Sequence, residues 1–345
     1  MSTASRAVGG APLPDRAPAL RIADGTGAHR AVDAVDARGR AARIASVDVF
    51  RGLVIAGMLV VNNLVWTSST PRQLMHAPWG QGVTFTDMIL PWFVFILGVA
   101  IPLSARVDRS RLARALRVAR RAVLLVVLGI AIDTVEYHGV TVGMDVLQLL
   151  GLSYLAAVLL ARTPVWTRLA VGAALLAGYG VLLMRVPAPG YAPGVFDARH
   201  NIVQYLNDAY LVRYDLAGVL AVAPAAALAL LGTAAGTLLR AAAVSERVKI
   251  AVFAAVGAAL TYAGLWWGHA LPLSKDLWTP SYTVAAGGLG LLGLAGCHLL
   301  CGSARLRPLG FPFAVLGANA IVGYVASAVV AITLIEYTWR DPWSP

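Results

Sequence analysis

Charge is scarce in this chain. Only 13% of its 345 residues are Asp, Glu, Lys or Arg, while 59% are hydrophobic, and the mean hydropathy is +0.72. A soluble domain carries about 25% charged residues, so a large water-soluble core is excluded and a polytopic membrane protein is expected. Cysteine is nearly absent. Cys297 and Cys301, four apart in one apolar run with His298 between them, support neither a disulfide scaffold nor a metal site, and all three read as helix-packing residues. No H-E-x-x-H, G-x-S-x-G, G-x-G-x-x-G or P-loop pattern occurs, which leaves zinc hydrolysis, the nucleophile elbow and nucleotide-binding loops without support. Acidic residues are few as well, 17 against 28 basic ones, giving a net charge of +11. In a membrane chain this excess points to cytoplasmic loops and lipid headgroups rather than nucleic acid.

What is present is a series of apolar runs. Residues 1–42 hold no such run and no signal-peptide core, and read as a disordered cytoplasmic tail ahead of a membrane domain over 43–345. Hydropathy gives nine candidate spans, at about 47–66, 85–104, 121–137, 143–161, 169–186, 217–239, 250–270, 281–301 and 312–335. The expected fold is an all-α bundle of about nine transmembrane helices with a cytoplasmic N-terminus. With that orientation, 22 of the 28 Lys and Arg residues fall on the inner side and 6 on the outer side, a clear positive-inside bias. The most basic segment is 106–121, where Arg111, Arg114, Arg117, Arg120 and Arg121 recur at three- or four-residue spacing. Such a face suits anionic headgroups, or the phosphates of a cofactor. The GTAAG segment, with Gly232 and Gly236, permits close helix contact.

Polar residues are unevenly distributed. Asn62 and Asn63, His76, Asp87, Asp133, Asp145, Gln148, Lys275 and Asp276 gather at the outer ends of the spans or in the outer loops. Ionisable groups at a membrane mouth are costly and mark functional sites. Histidine is the natural acid/base group near neutral pH, and a carboxylate would fix its tautomer. Asp87 lies eleven residues beyond His76, so the loop must fold back for the two to meet. At the inner end, Asp48 and Arg51 stand one helical turn apart, as an ion pair would.

The segments SVDVFRGLVIAGMLVVNN (46–63) and HAPWGQGVTFTDMILPWFVFILGVAIPLS (76–104) resemble the heparan-α-glucosaminide N-acetyltransferase family and its bacterial relatives. VLQLLGLSYL (146–155), LPLSKDLWTPSY (271–282) and LGANAIVGY (316–324) follow in the same order, and the resemblance runs from Ala45 to about Ser327. It implies a membrane acyltransferase that takes acetyl groups from cytosolic acetyl-CoA, without a metal, to an amino sugar or other glycan at the outer side, by N- or O-transfer. The catalytic set implied is His76 with Asp87 and Asn62, and the substrate-binding set is Asp145, Gln148, Lys275, Trp278 and Asn319. Arg51, Arg114, Arg117, Arg120 and Arg121 are the expected cofactor residues, on the basic inner face. The plasma (inner) membrane is the expected location, with the lipid bilayer and the glycan acceptor as partners; a homodimer is left open. Three departures stand out. The family's LQR reads Gln148-Leu149 here, the histidine-to-aspartate spacing is one residue longer, and the family's further helix with its His-Glu pair is not in this sequence. A transporter with an outer vestibule, or a non-catalytic protein keeping the fold, is the alternative.

Overall fold

The computed structural model describes residues 45–64, 67, 69–104, 110–136 and 142–330. The tail read over 1–42, residues 105–109 of the basic loop and the end of the ninth candidate span lie outside these. Among the described residues the chain is helical, with no strand. Its helices are α1 (Ala45–Asn62), α2 (Phe85–Leu103), α3 (Arg111–Glu136), α4 (Val146–Leu160), α5 (Val165–Arg185), the short α6 (Ile202–Leu206), α7 (Val222–Arg240), α8 (Glu246–Trp267), α9 (Pro280–Gly302), α10 (Arg307–Ala318) and α11 (Ala320–Val330).

Each hydropathy segment falls on a helix. Among the described residues, six helices are long and apolar enough to cross a bilayer (α1, α2, α5, α7 with its preceding turn, α8 and α9), or seven if α10 and α11 count as one bent span. The chain is therefore an all-α integral membrane protein. Two of the nine segments fall short of that test. α4 has 15 residues, about 22 Å of helix against a hydrocarbon core of about 30 Å. α3 carries Arg120, Arg121, Asp133 and Glu136 at the two ends of its apolar stretch. The ninth segment, expected as one run over 312–335, is instead broken at Asn319 by a 77° bend. The Asn319 amide donates to the Val315 carbonyl at 3.0 Å, competing with the backbone ladder. From the bend α11 follows α1, and its Ser327 hydroxyl lies 3.2 Å from the Asn63 amide.

The core sits between α2 and α7, where close approach needs glycine. A Cβ on Gly232 would lie 2.2 Å from the Phe95 carbonyl oxygen, and one on Gly236 would lie 2.3 Å from that of Val99. The GTAAG pair is thus the groove into which α2 packs.

The loop between α1 and α2 is fastened onto the start of α2. The Gln73 side chain accepts the Phe85 N–H at 2.9 Å, the Thr86 hydroxyl donates to the Gln73 carbonyl at 3.1 Å, and the Thr84 hydroxyl donates to the Met75 carbonyl at 2.7 Å. These bonds satisfy groups left open at a helix N-terminus and turn the loop back over it. Trp79 extends the cover by donating its indole N–H to the Phe196 carbonyl at 2.7 Å.

Candidate active site

Folding the loop back puts His76 on Asp87. The imidazole Nδ1 lies 2.7 Å from Asp87 Oδ1, and the side chain of Asp87 is only 3% exposed. The other carboxylate oxygen accepts the backbone N–H groups of Thr84 at 2.9 Å and Ala77 at 3.2 Å. Asp87 therefore closes the first turn of α2 and clamps the histidine loop at the same time. A carboxylate only accepts, so Nδ1 carries the hydrogen in this bond and Nε2 keeps its lone pair.

A third group arrives from 199 residues away. Lys275 Nζ lies 3.1 Å from Nδ1 and 3.5 Å from Nε2 of the same ring. Since the Nδ1 hydrogen faces Asp87, Nδ1 has no lone pair for the ammonium. Nε2, at 3.5 Å, stands at the limit of hydrogen-bond reach, so its lone pair stays available. Burial pushes Lys275 below the usual lysine value, opposed by the charges of Asp87, Asp276 and Asp145. The lysine turn is itself held firmly. The Trp278 N–H donates to the Lys275 carbonyl at 3.0 Å, and the Ser274 N–H donates to the buried Thr279 hydroxyl at 3.1 Å. Trp278 has φ 48°, a left-handed conformation costing about 1–2 kcal/mol for a side-chain-bearing residue. Its ring is buried and stands edge-on to Tyr282, with centroids 5.9 Å apart, so packing holds the strained turn in place.

Tyr282 has a second role that the sequence reading missed. Pro91 has no N–H and stands four residues after Asp87, so the Asp87 carbonyl loses its helical partner. The buried Tyr282 hydroxyl donates to that carbonyl. A proline four residues after a candidate aspartate was the available signal. Thr84 was missed in the same way, although it stands at the helix start three residues before Asp87.

His76, Asp87, Lys275, Asp276, Trp79 and Ser274 line a polar cavity of about 190 Å³. It offers an imidazole lone pair, a balancing carboxylate and an ammonium around one space, a set suited to deprotonating an incoming nucleophile and stabilising developing negative charge.

A second cavity, apolar and about 90 Å³, runs among α1, α2, α3, α4 and α11. Phe93, Ile96, Leu97 and Ala100 of α2 line it, with Val146 and Leu150 of α4, and Arg51 and Arg121 are its two cations. Phe93 is six residues, about 9 Å, along α2 from Asp87. Arg51 is tied to Asp48 at 3.0 Å, as its spacing implied, and to the Gly317 carbonyl at 3.1 Å, while Arg121 lies over the Tyr154 ring at 4.8 Å. Of the five arginines expected to hold a cofactor, two thus share a cavity. Arg117 and Arg120 are on an exposed face of α3, and Nη1 of Arg114 is buried without a partner among the described residues.

The remaining expected residues do not line the polar cavity, although the charge of Asp145 reaches Lys275. Asp145 caps α4, accepting the Val146 N–H at 2.7 Å. Gln148 is buried and donates to Asp133 at 2.5 Å. Asn62 is exposed at the end of α1, whereas its neighbour Asn63 donates to the Leu59 carbonyl at 2.8 Å and to Ser327. Trp278 acts from behind Lys275, and Asn319 marks the break between α10 and α11. His298, read as a packing residue, instead joins Glu246 at 2.5 Å, and Glu246 also pairs with the fully buried Lys249 at 2.9 Å. Among the described residues no cluster of three or more His, Cys, Asp or Glu could hold a metal ion.

Residues 43–269 match the family described as heparan-alpha-glucosaminide N-acetyltransferase, catalytic. The human protein named heparan-alpha-glucosaminide N-acetyltransferase is 34% identical over 128 residues, which cover 34% of this chain and 19% of that protein. The mouse protein of the same name is 33% identical over 133 residues, 36% of this chain and 20% of that protein. The chain thus aligns with about a fifth of the length of these relatives. The family match takes in His76, Asp87 and both cavity arginines and stops short of Lys275, whose part in the site rests on the fold. With two thirds of its length matched, this chain belongs to the heparan-alpha-glucosaminide N-acetyltransferase catalytic family.

Proposed function

We propose that this protein is a membrane acetyltransferase moving an acetyl group from cytosolic acetyl-CoA to an amine or hydroxyl of a glycan, with amino sugars the leading acceptor class. One observation carries the reading. The polar cavity of His76, Asp87 and Lys275 and the apolar cavity of Arg51 and Arg121 are both built on α2, about 9 Å apart along it.

The donor's chemistry fits the second cavity. A narrow apolar space of about 90 Å³ suits a slender chain rather than a nucleotide, whose phosphates would remain with Arg51 and Arg121. When bound, acetyl-CoA supplies an acyl group activated as a thioester. The neutral acceptor amine attacks the thioester carbon, and the C–S bond breaks as the C–N bond forms. Nε2 of His76 takes the proton the nitrogen loses and returns it to the departing CoA thiolate. Asp87 holds the ring in the tautomer that leaves Nε2 open and balances the charge on the imidazolium. The Lys275 ammonium, beside the same ring, stabilises negative charge on the carbonyl oxygen. The Trp79 loop covers the site and limits water.

In this reading the nine segments all cross, with the N-terminus in the cytoplasm and His76 at the outer face of the plasma (inner) membrane, in keeping with the 22-to-6 charge split. The deciding experiment compares purified wild type and His76→Ala for acetyl-CoA binding and for CoA release with glucosamine as acceptor. Loss of a general base lowers the rate about 10²–10⁴-fold. Donor binding is expected to persist, because the histidine loop is held by Gln73, Thr84 and Asp87. Retention of more than about a tenth of the rate would move the chemistry elsewhere.

A further inference from the structure

Arg168 was counted with the inner loops, yet it lies inside α5 and is only 4% exposed. An arginine cannot shed its charge, so a buried one needs a partner. Among the described residues no carboxylate pairs with it. Its Nη1 donates to the Thr233 carbonyl at 3.2 Å and to the Thr237 hydroxyl at 3.1 Å, both neutral. Nε is buried with no partner, and Nη2 makes no hydrogen bond among the described residues. Nε and Nη2 form the side edge of the guanidinium, the fork that takes a phosphate or carboxylate through two parallel bonds.

Arg168 also lines a cavity of about 210 Å³ that is otherwise apolar apart from Thr283. Arg168, Gly172 and Leu176 follow one stripe of α5, two turns or about 12 Å long, facing Leu228 and Leu231 of α7 and Leu260 of α8. Of the six unbroken spans α5 and α8 are the least buried, so this space lies beside helices that face lipid. A fixed cation at one end and hydrocarbon walls beyond it match an anionic head with an acyl chain. The arginine sits one turn from the start of α5 and bonds near the end of α7, the end bearing Arg240, where a headgroup phosphate of the same leaflet would lie.

We propose that this cavity is a binding site for one anionic phospholipid of the surrounding bilayer, its phosphate on the Nε/Nη2 edge of Arg168 and an acyl chain between α5, α7 and α8. The site is separate from both cavities assigned to acetyl transfer, and its test does not depend on activity.

The test is native mass spectrometry and thermal unfolding of delipidated protein with added phosphatidylglycerol, phosphatidylcholine or oleate. Wild type is expected to retain one phosphatidylglycerol in preference to phosphatidylcholine and to unfold at higher temperature with it. Arg168→Met removes an unpaired buried charge at similar volume, so it should fold without lipid at least as well as wild type. Its phosphatidylglycerol affinity should fall about tenfold or more, the scale of charge-assisted hydrogen bonds. A Cβ on Gly172 would meet the Ala227 carbonyl oxygen at 3.5 Å, an ordinary contact, so Gly172→Leu should fill the slot and lose the lipid with Arg168 intact. Arg162→Gln, on an exposed residue, should change neither. Equal retention of both phospholipids, unchanged binding in Arg168→Met and Gly172→Leu, or binding of oleate alone would overturn the assignment.

Discussion

Replacing Asp87 by asparagine tests the histidine arrangement without emptying any space. Both carboxylate oxygens of Asp87 accept, one from His76 Nδ1 and the other from the N–H groups of Thr84 and Ala77. An asparagine has only one oxygen, and the two backbone donors cannot change, so that oxygen stays with Thr84 and Ala77. The amide NH₂ then faces His76, and Nδ1 must accept where it had donated. The ring hydrogen moves to Nε2, and the lone pair needed for the acceptor's proton is gone. The neutral amide also no longer stabilises the imidazolium formed as the acceptor's proton is taken, a charge-assisted bond worth about 1.5–3 kcal/mol. With the cost of restoring the active tautomer, the barrier should rise by about 4 kcal/mol, a rate loss near 10³-fold. An aspartate-to-asparagine change beside a catalytic histidine loses about 10⁴ by the same tautomer argument in serine proteases. The assay is CoA release by purified protein, set beside thermal unfolding and His76→Ala. Unfolding should shift little, because the loop keeps its anchors, and Asp87→Asn should be nearly as inactive as His76→Ala. Raising the pH should not rescue it, since the fault is the position of a proton and not its presence. Retention of more than about a tenth of wild-type rate with a native unfolding curve would refute the tautomer assignment.

Two further outcomes follow from the same elements. Tyr282→Phe leaves the Asp87 carbonyl without a donor, which should cost about 1–3 kcal/mol in unfolding measurements; in a Pro91→Ala background, where a backbone N–H is supplied at that position, the cost should shrink, and an unchanged cost would sink the argument. Burial lowers the Lys275 pKa from 10.5, so its charge is lost earlier as pH rises, and the penalty of holding it charged is present below the lowered value and relieved on the way to 10.5; an alkaline fall in rate should lie below the ordinary lysine range and vanish in Lys275→Met, and an alkaline limb unchanged by that substitution would remove the ammonium from the chemistry.

The spans were legible because hydropathy is a local property, and eight of the nine segments fell on one helix each. Where they end was less so. The break at Asn319 depends on Gly317 packing against Asp48 and on an amide turned onto its own backbone, neither of which hydropathy registers. The His76–Asp87 pair could be named from type and position, but its contact depends on the hydrogen bonds that Gln73 and Thr84 make across the loop. Lys275 meets His76 across most of the chain, and nothing within its own segment fixes that meeting. His298 was assigned to packing, and Arg168 to an inner loop, because sequence gives a residue's place along the helix but not what the neighbouring helices hold.

The separation of His76 and Lys275 along the chain also sets the order in which the site can be completed. As helices enter the membrane from the N-terminus, the histidine, its carboxylate and the fastened loop are all available once α2 is in place. The lysine turn is made only after α8, and its Trp278 meets the Tyr282 ring only when α9 follows. Tyr282 is also the donor to the Asp87 carbonyl. A chain interrupted before α9 therefore carries His76 and Asp87 without a settled lysine turn, and with a gap in the helix beneath them. In the proposed mechanism one late helix thus completes the site, supplying the missing hydrogen bond and fixing the turn that carries the charge.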